Sequence, residues 1–588
     1  MMAKDTVGHV DRRTDSRSAW ILIITAVTGI PFLAGCSASQ HKEKTDKNVY
    51  GIVDAKQKNV TGQSTDFSIE KPATNLRATV QSDVGHLPPA GPGADMPDEV
   101  AARTLSLDEA LRLAPTSSRD YQYQKEELYL SGLDLVLARH EWSPLFSSMI
   151  EGGYTWDDRE ETVDGSATLK LQKKLITGAS TAVSYSVGAI YFLGSDMRPE
   201  ITSSLDASFV QPLLRGAGRA VAEENLKQSE RDVIYQVRAF IRYQKKFSID
   251  ITSAYLNVLR LADQVRNEWQ NYQNLVRNRM RSEFLEQAGR TPLFEVDQAR
   301  QAELRAHNSW VQTKERYESE MDSFRTRIGL PPDCAVALDR GVLAWIESNR
   351  PAEHEMDALN TSEAVQIGLD NRLDLMTQRD KRADAERKIY VARNGLLPQL
   401  DLVANASVDG TPPRNWDRMQ FHRGTYSTGL RLDPGLDRVK EAATYRAAMV
   451  NLERAARALE QKEDEVRTDI REAIRQLEGQ RQSYDIQRRS VELAARRVAS
   501  VSMLMEAGRA SMRDLLEAQD DLVSAQNSLT SALISQTMAW LQYKYASEQF
   551  ELDTQGRPTD LFSQSGGETA PAGTSPTPSD KQPTGGTE

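Results

Sequence analysis

Two long stretches with almost no helix-breaking residues constrain the fold of this chain more than any other feature of its sequence. Residues 219–288 contain neither glycine nor proline, and residues 436–507 contain only Gly479. An α-helix rises about 1.5 Å per residue, so each stretch predicts a helix about 105 Å long. Compact domains are not that wide. The sequence therefore predicts an elongated molecule built on long helices.

Composition and motifs exclude several classes of function. Only 39% of the 588 residues are hydrophobic and 27% are charged, which does not fit a stack of thick globular cores. The formal net charge of −11, with both signs interspersed, disfavours a protein that neutralises nucleic-acid phosphates. Two cysteines, Cys36 and Cys334, and seven scattered histidines do not form a zinc pattern, and no catalytic motif is recognisable. We expect no enzyme activity, no metal and no cofactor.

The N-terminus has the layout of an export signal. Basic residues between positions 12 and 17 precede a mostly apolar run at 20–33, which is shorter than the roughly 20 residues of a spanning helix. The ending Leu33-Ala34-Gly35-Cys36 resembles a bacterial lipobox, which implies a signal peptide at 1–35 and acylation of Cys36, by palmitate among other chains. An uncleaved anchor with an incidental cysteine is the alternative. By the same resemblance, Ser37 after the cysteine favours the outer membrane.

Two segments have the composition of unstructured chain. Residues 36–104 are rich in Lys, Asp, Gln, Gly and Pro and show no sustained period, which predicts a flexible tether. Residues 551–588 consist mainly of Gly, Ser, Thr and Pro, which predicts a disordered tail.

The rest of the chain is an internal duplication with one insertion. Glu109 corresponds to Glu363, an offset of 254, whereas Pro212 corresponds to Pro434, an offset of 222. The first copy therefore holds 254 − 222 = 32 residues more than the second. That length is enough for one additional β-hairpin.

Both copies, at 105–350 and 351–550, follow the same plan. A helix of roughly 38 residues leads to a strand region, to the very long helix, to a break at Ala-Gly-Arg and to another helix of roughly 38 residues. The shorter helices are predicted at about 105–142, 291–328, 359–396 and 511–549. In the last of them, leucines at 515, 522 and 529 recur every seven residues, which predicts a coiled-coil seam.

The strand regions, at about 146–210 and about 399–432, alternate between apolar and polar residues, as at 400–408. Segments of about ten residues with one apolar face are typical of membrane β-barrel strands, although sheets in soluble proteins alternate too. The extra residues of the first copy predict a hairpin at about 160–195. The sequence leaves open whether this hairpin enlarges a barrel or forms an extracellular flap.

With these features in place, the chain resembles the TolC family of outer-membrane efflux proteins, in its lipoprotein branch. The resemblance covers about 105–550 and is carried by LSLDEAL at 105–111, QPLLRG at 211–216, AR at 392–393 with LPQL at 397–400, and EAGR at 506–509 with DLLEAQ at 514–519. It implies a fold that is mainly α with a membrane β-barrel portion. In that fold, long coiled-coil helices form a trimeric α-barrel capped by a β-barrel that three copies share.

The resemblance also implies a function. The protein is expected to be a passive outer-membrane duct of a tripartite efflux or type I secretion system, working with a periplasmic adaptor protein and an inner-membrane pump. The residues support a homotrimer on separate grounds, because an open sheet in lipid leaves edge N–H and C=O groups unpaired at a cost of several kcal/mol each. Neither the cargo nor the class of pump follows from the sequence.

The two Ala-Gly-Arg breaks acquire roles from the same resemblance. It places Gly289 and Gly508 at periplasmic tips, where the helices bend inward and close the tunnel. It places Asp514 and Glu517 in rings of acidic side chains that bind cations and narrow the entrance. A solvated helical face is the alternative interpretation of these two acids.

A gate ion pair is implied as well. The sixth residue after Gly289 is Glu295, and in the family an acid at this position pairs with a basic residue on the second tip. The nearest basic residue here is Arg509, which follows Gly508 by one position rather than two. An ion pair between Glu295 and Arg509 is therefore a hypothesis.

Two other kinds of protein share parts of this pattern. A periplasmic adaptor lipoprotein also has coiled-coil hairpins, but it would carry two half-lipoyl motifs around a single helical hairpin. A lipid-anchored structural coiled coil would lack alternating strands. The duplicated order of helix, strand and helix favours the channel over both.

Overall fold

The structure is a computed structural model that describes residues 37–62, 67–70, 103–156, 161–193, 200–334, 336–350, 359–411, 415–553 and 558–559. The predicted signal peptide and most of the predicted tail lie outside the described residues. Cys36 lies outside them too.

Helices make up most of the described chain. They are α1 (Ala38–Thr61), α2 (Leu107–Ser117), α3 (Arg119–His140), α4 (Arg219–Ala222), α5 (Glu224–Gln287), α6 (Leu293–Arg327), α7 (Gly341–Ser348), α8 (Thr361–Asn371), α9 (Leu373–Gly395), α10 (Val439–Glu506) and α11 (Met512–Ala546). None of these helices combines the length and the apolar character needed to cross a membrane.

The two very long helices predicted from the sequence are confirmed as α5 and α10, with 64 and 68 residues. At the rise of an α-helix they are about 96 and 102 Å long. Each turns back at its C-terminal end into a 35-residue partner, α6 or α11. Contacts between α5 and α11 join the two helical hairpins side by side.

The first helix of each repeat is broken, where the sequence predicted one continuous helix. The break between α2 and α3 is at Ser118, and the break between α8 and α9 is at Arg372. Both residues have extended backbones, with ψ of 132° and 118°, which ends the helical hydrogen bonding. The two repeats therefore share this break, and the prediction of single helices at 105–142 and 359–396 is wrong.

Within the described residues, nine strands form two sheets. They are β1 (Arg103–Leu105), β2 (Leu145–Trp156), β3 (Glu161–Lys174), β4 (Ser180–Leu193), β5 (Glu200–Pro212), β6 (Val336–Leu338), β7 (Gln399–Thr411), β8 (Asn415–Met419) and β9 (Thr425–Asp433). The large sheet has seven strands in the order β2-β3-β4-β5-β7-β8, and β9 also pairs with β7. Its six long strands are all antiparallel to their neighbours.

A second, two-stranded sheet was not predicted. Strands β1 and β6 are parallel and pair Leu105 with Leu338, so they connect the start of the first repeat to the segment after α6. The Tyr255 hydroxyl on α5 donates a hydrogen bond to the Leu105 carbonyl over 2.9 Å. Three-residue strands separated by more than two hundred residues have no local signal, so sequence patterns do not reveal this pairing.

The predicted tether is wrong over α1. Ser37 caps this helix with a capping box, and Val49 and Val53 are completely buried in the main hydrophobic core. The helix packs closely on α3, where a Cβ at Gly132 would come within 2.7 Å of the Val49 side chain. Val49 and Val53 are four residues apart, which is the spacing of one helical face. The polar average composition of 36–104 does not reveal this local signal.

The break before α9 carries a partly buried ion network. Asp374 accepts two hydrogen bonds from the Arg372 guanidinium, at 2.8 and 3.1 Å, and lies 3.2 Å from Lys462 and 3.5 Å from Arg242. Burial raises the pKa of Asp374, but these cations outweigh burial and hold the pKa far below its usual range. The carboxylate therefore remains charged in the folded protein at pH values that protonate it in the unfolded chain.

This network predicts acid sensitivity. A depressed pKa contributes stability that is complete above the unfolded value of about 4 and is lost as the pH falls below it. We expect the urea midpoint of unfolding to drop between pH 6 and pH 3, and to drop less in Asp374→Asn. Asp464→Asn, which removes an exposed carboxylate, is the matched control. Equal pH dependence in wild type and Asp374→Asn would contradict this account.

Candidate functional site

The two helical hairpins turn at equivalent glycines. Gly289 and Gly508 both have φ of +69°, a left-handed conformation that glycine adopts without strain. The following residue closes each turn, as Arg290 N–H donates to the Leu285 carbonyl and Arg509 N–H donates to the Leu504 carbonyl, both over 2.8 Å. The sequence analysis assigns the tips to these two turns, and we call them the first and second tips.

A small hydrophobic cluster holds the two tips together. It contains Leu275 from α5, Ala299, Ala302 and Ala306 from α6, and Met512, Leu515 and Leu516 from α11, all of them buried. Alanines on one helix let a neighbouring backbone approach closely. The tips of the two repeats are therefore packed against each other within a single chain.

Asp514 caps helix α11. Its carboxylate accepts hydrogen bonds from the Ser511 backbone N–H over 2.9 Å and from the Ser511 hydroxyl over 2.7 Å, which completes a capping box. The Ser511 side chain and backbone together lower the pKa of Asp514. The pattern Ser-x-x-Asp before an apolar run is a sequence signal for this role, but the sequence analysis did not predict it. Asp514 is exposed at the second tip, so capping leaves its negative charge on the surface.

Glu517, the other predicted ring residue, is one helical turn further along α11. It is paired within the chain with Arg497 of α10, at 3.0 Å, and Arg497 also contacts Asp521. The Glu517 side chain is still 58% exposed. The local charge beside Asp514 is therefore partly balanced by an arginine on the neighbouring helix.

The structure does not bring Glu295 and Arg509 together as an ion pair within the described chain. Instead, Arg281 near the end of α5 lies 3.6 Å from Glu506, the last residue of α10. This pair bridges the first tip to the second. Sequence reasoning missed it, because residues 281 and 506 are neighbours only once the two hairpins have packed side by side.

A polar groove lies between the helices above the tips, and we call it the tip groove. Its lining includes Arg260, Glu268 and Asn271 of α5, Arg305 of α6 and Asp520 of α11. Burial, with a smaller effect of the Asp520 charge, raises the pKa of Glu268, and burial lowers the pKa of Arg260. Because its lining carries charged side chains, the tip groove can be filled with water.

The described residues contain no group of three or more His, Cys, Asp or Glu side chains positioned to hold a metal ion. Ser37, the first described residue, caps α1 with its side chain. The predicted acylation site therefore lies directly before a helix that is packed into the core.

Part of the chain matches a known family. Residues 364–544 match the family model described as "Outer membrane efflux protein". This segment contains α9, β7, β9 and α10, together with nearly all of α11. No curated protein sequence matches the chain significantly.

Solved structures match most of the chain. The outer-membrane channel OprN aligns with a TM-score of 0.55 at 13% identity, covering 76% of this chain and 90% of that one. The CmeC outer membrane channel of Campylobacter jejuni aligns at 0.54 and 13%, covering 77% and 86%. The open state of the MtrE outer membrane channel of Neisseria gonorrhoeae aligns at 0.52 and 13%, covering 75% and 88%. The mainly α fold with a β portion, inferred from the resemblance, is confirmed.

Proposed function

Since the chain has the fold of outer-membrane efflux channels and matches their family over 364–544, we propose that three copies form a passive duct through the outer membrane. The duct extends into the periplasm and is gated at its helical tips. There it binds a periplasmic adaptor and an energised inner-membrane pump, in an efflux or type I secretion system. The protein supplies a wet path and a gate, and no chemistry.

The observation that carries this proposal is the open large sheet. Its long outer strands, β2 and β9, each pair on one side only among the described residues, and both are largely exposed. A sheet edge in lipid leaves backbone groups without hydrogen bonds, so a spanning sheet has to close on itself. Pairing β9 of one copy with β2 of the next closes the sheet after three copies.

The helical hairpins support the same assembly. They run about 100 Å from the sheet to the tips, which is much longer than the thickness of a membrane, so they extend beyond it. Side by side in three copies, they form the periplasmic barrel of the duct. The charged tip groove then faces the aqueous space between hairpins.

The tips supply the gate. Arg281 and Glu506 tie the first tip to the second in each chain, and opening requires this pair to separate. Asp514 and Glu517 form acidic rings around the entrance when repeated by threefold symmetry, which attracts cations.

Lipidation fixes the protein to the outer membrane. Acyl chains on Cys36 anchor the mature N-terminus, and Ser37 leads directly into α1. The anchor is therefore attached to the folded rod through a packed helix.

Planar-bilayer recordings test this function. The purified protein should pass ions through a lipid film in small, cation-selective steps. The double variant Arg281→Gln/Glu506→Gln should raise the time-averaged current severalfold, because it removes the bridge between the tips. A heat-denatured sample is the control. If neither wild type nor the double variant conducts, the channel proposal fails.

The adaptor alternative is less consistent with the chain. An adaptor should have one helical hairpin flanked by half-lipoyl motifs. The described part of this chain instead forms two helical hairpins joined through six long antiparallel strands. A role as a structural coiled coil does not explain a large sheet with exposed edges. The sheet therefore supports the channel proposal over the two alternatives.

A further inference from the structure

The insertion that distinguishes the first repeat lies inside the large sheet. Strands β3 and β4 contain the predicted extra hairpin, and they separate β2 from β5. The β3–β4 pairing is continuous from Glu161↔Leu193 to Lys174↔Ser180, and β2 pairs with β3 along its whole length. Strand β4 then pairs with β5 over most of its length. The hairpin is therefore part of the sheet rather than an appendage to it.

An apolar row of side chains crosses the sheet without interruption at the hairpin. Directly opposed residues on antiparallel strands point to the same face of a sheet. The row that crosses all six long strands is Phe146↔Leu171↔Val183↔Ala207↔Ala406↔Tyr426. Its members on β3 and β4 are as apolar as those on the other four strands.

The adjacent row, which points to the opposite face, is polar on every strand. It is Ser147↔Lys170↔Ser184↔Asp206↔Ser407↔Thr425. The Asp206 carboxylate accepts a hydrogen bond from the Ser407 hydroxyl over 2.6 Å, so polar groups interact on this face. Strands with one lipid-compatible face and one water-compatible face are those of a membrane barrel. The inserted strands keep the same faces as their neighbours.

The turn of the hairpin is fixed at the junction between the sheet and the helices. Thr177 donates its hydroxyl to the Gln211 side chain over 2.8 Å, and its carbonyl accepts the Gly218 N–H over 3.1 Å. At Gly178, with φ of +90°, a Cβ would lie 2.5 Å from the Gly216 carbonyl oxygen. This close backbone contact puts the turn beside the exit of β5. An extracellular flap would be at the other end of the strands.

We infer that β3 and β4 are membrane-spanning strands, so that each chain contributes six long strands to the barrel. Without this hairpin, each of the two repeats would contribute two strands, which gives four per chain. Three copies then form a barrel of eighteen strands instead of twelve. The inference rests on the proposed trimeric channel and adds to it the size of the membrane pore. Strands β3 and β4 have 14 residues each, which exceeds the roughly 9–11 residues that cross a bilayer.

The pore would be substantially wider. With strands about 4.8 Å apart and tilted by about 40°, twelve strands give a backbone circumference of about 75 Å and eighteen give about 113 Å. The cross-section therefore increases roughly twofold. Barrels of 16–18 strands enclose an aqueous channel, which suits a duct for bulky cargo.

Cysteine labelling tests the position of the hairpin. Single cysteines replace neighbours from the two rows on an inserted strand, Leu171→Cys and Lys170→Cys, and on a strand outside the insertion, Ala406→Cys and Ser407→Cys. The background is Cys334→Ala, which removes the buried thiol that is not part of a disulfide. Each variant is reconstituted in lipid vesicles as the full assembly and exposed to a charged maleimide. Folding of each variant is checked by the recovery of the assembly.

The two pairs should behave alike. Because the thiolate is the reactive form and is disfavoured in apolar surroundings, labelling at 171 and 406 should be slower than at 170 and 407 by on the order of tenfold or more. Contrast at 406 and 407 without contrast at 170 and 171 would place the hairpin outside the wall and overturn the inference alone. No contrast at either pair would show that the sheet is not in lipid, and the proposed channel would fail with the inference.

Discussion

Linking position 281 to position 506 should abolish ion flow through the assembled protein. The Arg281 and Glu506 side chains meet at 3.6 Å where the first tip contacts the second. The Cα atoms of an arginine–glutamate ion pair lie further apart than a direct disulfide permits. The variant Arg281→Cys/Glu506→Cys is therefore treated with a short, reducible bis-methanethiosulfonate linker. If opening separates the two hairpins at their tips, the covalent bridge holds the duct closed. Planar-bilayer current should fall to the baseline and return when the linker is reduced.

The matched control places the same linker within one hairpin. Glu283 on α5 and Arg300 on α6 are 2.9 Å apart near the first tip, but both belong to the first helical hairpin. Linking Glu283→Cys/Arg300→Cys should leave the current unchanged, since this bridge does not join the two hairpins. An equal loss of current in both cross-linked proteins would mean that the linker acts by general distortion. An unchanged current in the 281/506 protein would refute the gate.

Replacing Asp384 with alanine should cause a large loss of stability. Its buried carboxylate on α9 accepts hydrogen bonds of 2.6 Å from the Tyr235 hydroxyl, Arg231 and Arg387. Burial raises the pKa of Asp384, but the Tyr235 and Arg387 hydrogen bonds and the charge of Arg231 outweigh it and lower the pKa. Removing the acid leaves two guanidinium groups without their shared partner.

Breaking such a pair on one side typically costs about 3–5 kcal/mol. We expect the free energy of unfolding of Asp384→Ala to fall by that amount, measured by urea denaturation at a fixed protein concentration. Glu386→Ala is the matched control on the same helix, since it removes only an exposed pair with Arg382. That change should cost less than about 1 kcal/mol. Similar losses in both variants would contradict the assigned role of Asp384.

The sequence predicted the long helices and the breaks at Gly289 and Gly508 because their signals are local. The absence of glycine and proline over 219–288 has few structural interpretations, and Gly289 and Gly508 mark turns that need a left-handed backbone. The duplication then predicted two copies of one arrangement. The hairpin at 160–195 was found by the length difference and by its alternating residues, and the structure places it at β3 and β4.

Other features depend on contacts between distant residues. The hairpin lies within the large sheet because β3 pairs with β2 and β4 pairs with β5. The alternation of residues within the hairpin does not specify these partners. The Arg281–Glu506 bridge and the β1–β6 pair form only after the repeats dock. Helix α1 was hidden in a polar segment, because its stability comes from burying Val49 and Val53 against α3 rather than from its composition.

The mass of the intact, detergent-extracted assembly tests the central claim most directly. Native mass spectrometry counts the copies in a single species without reference to any activity. This account predicts one dominant species of three chains, because three copies close the edges of β2 and β9 on each other. A dominant single chain, or a complex of any other number of copies, would contradict it.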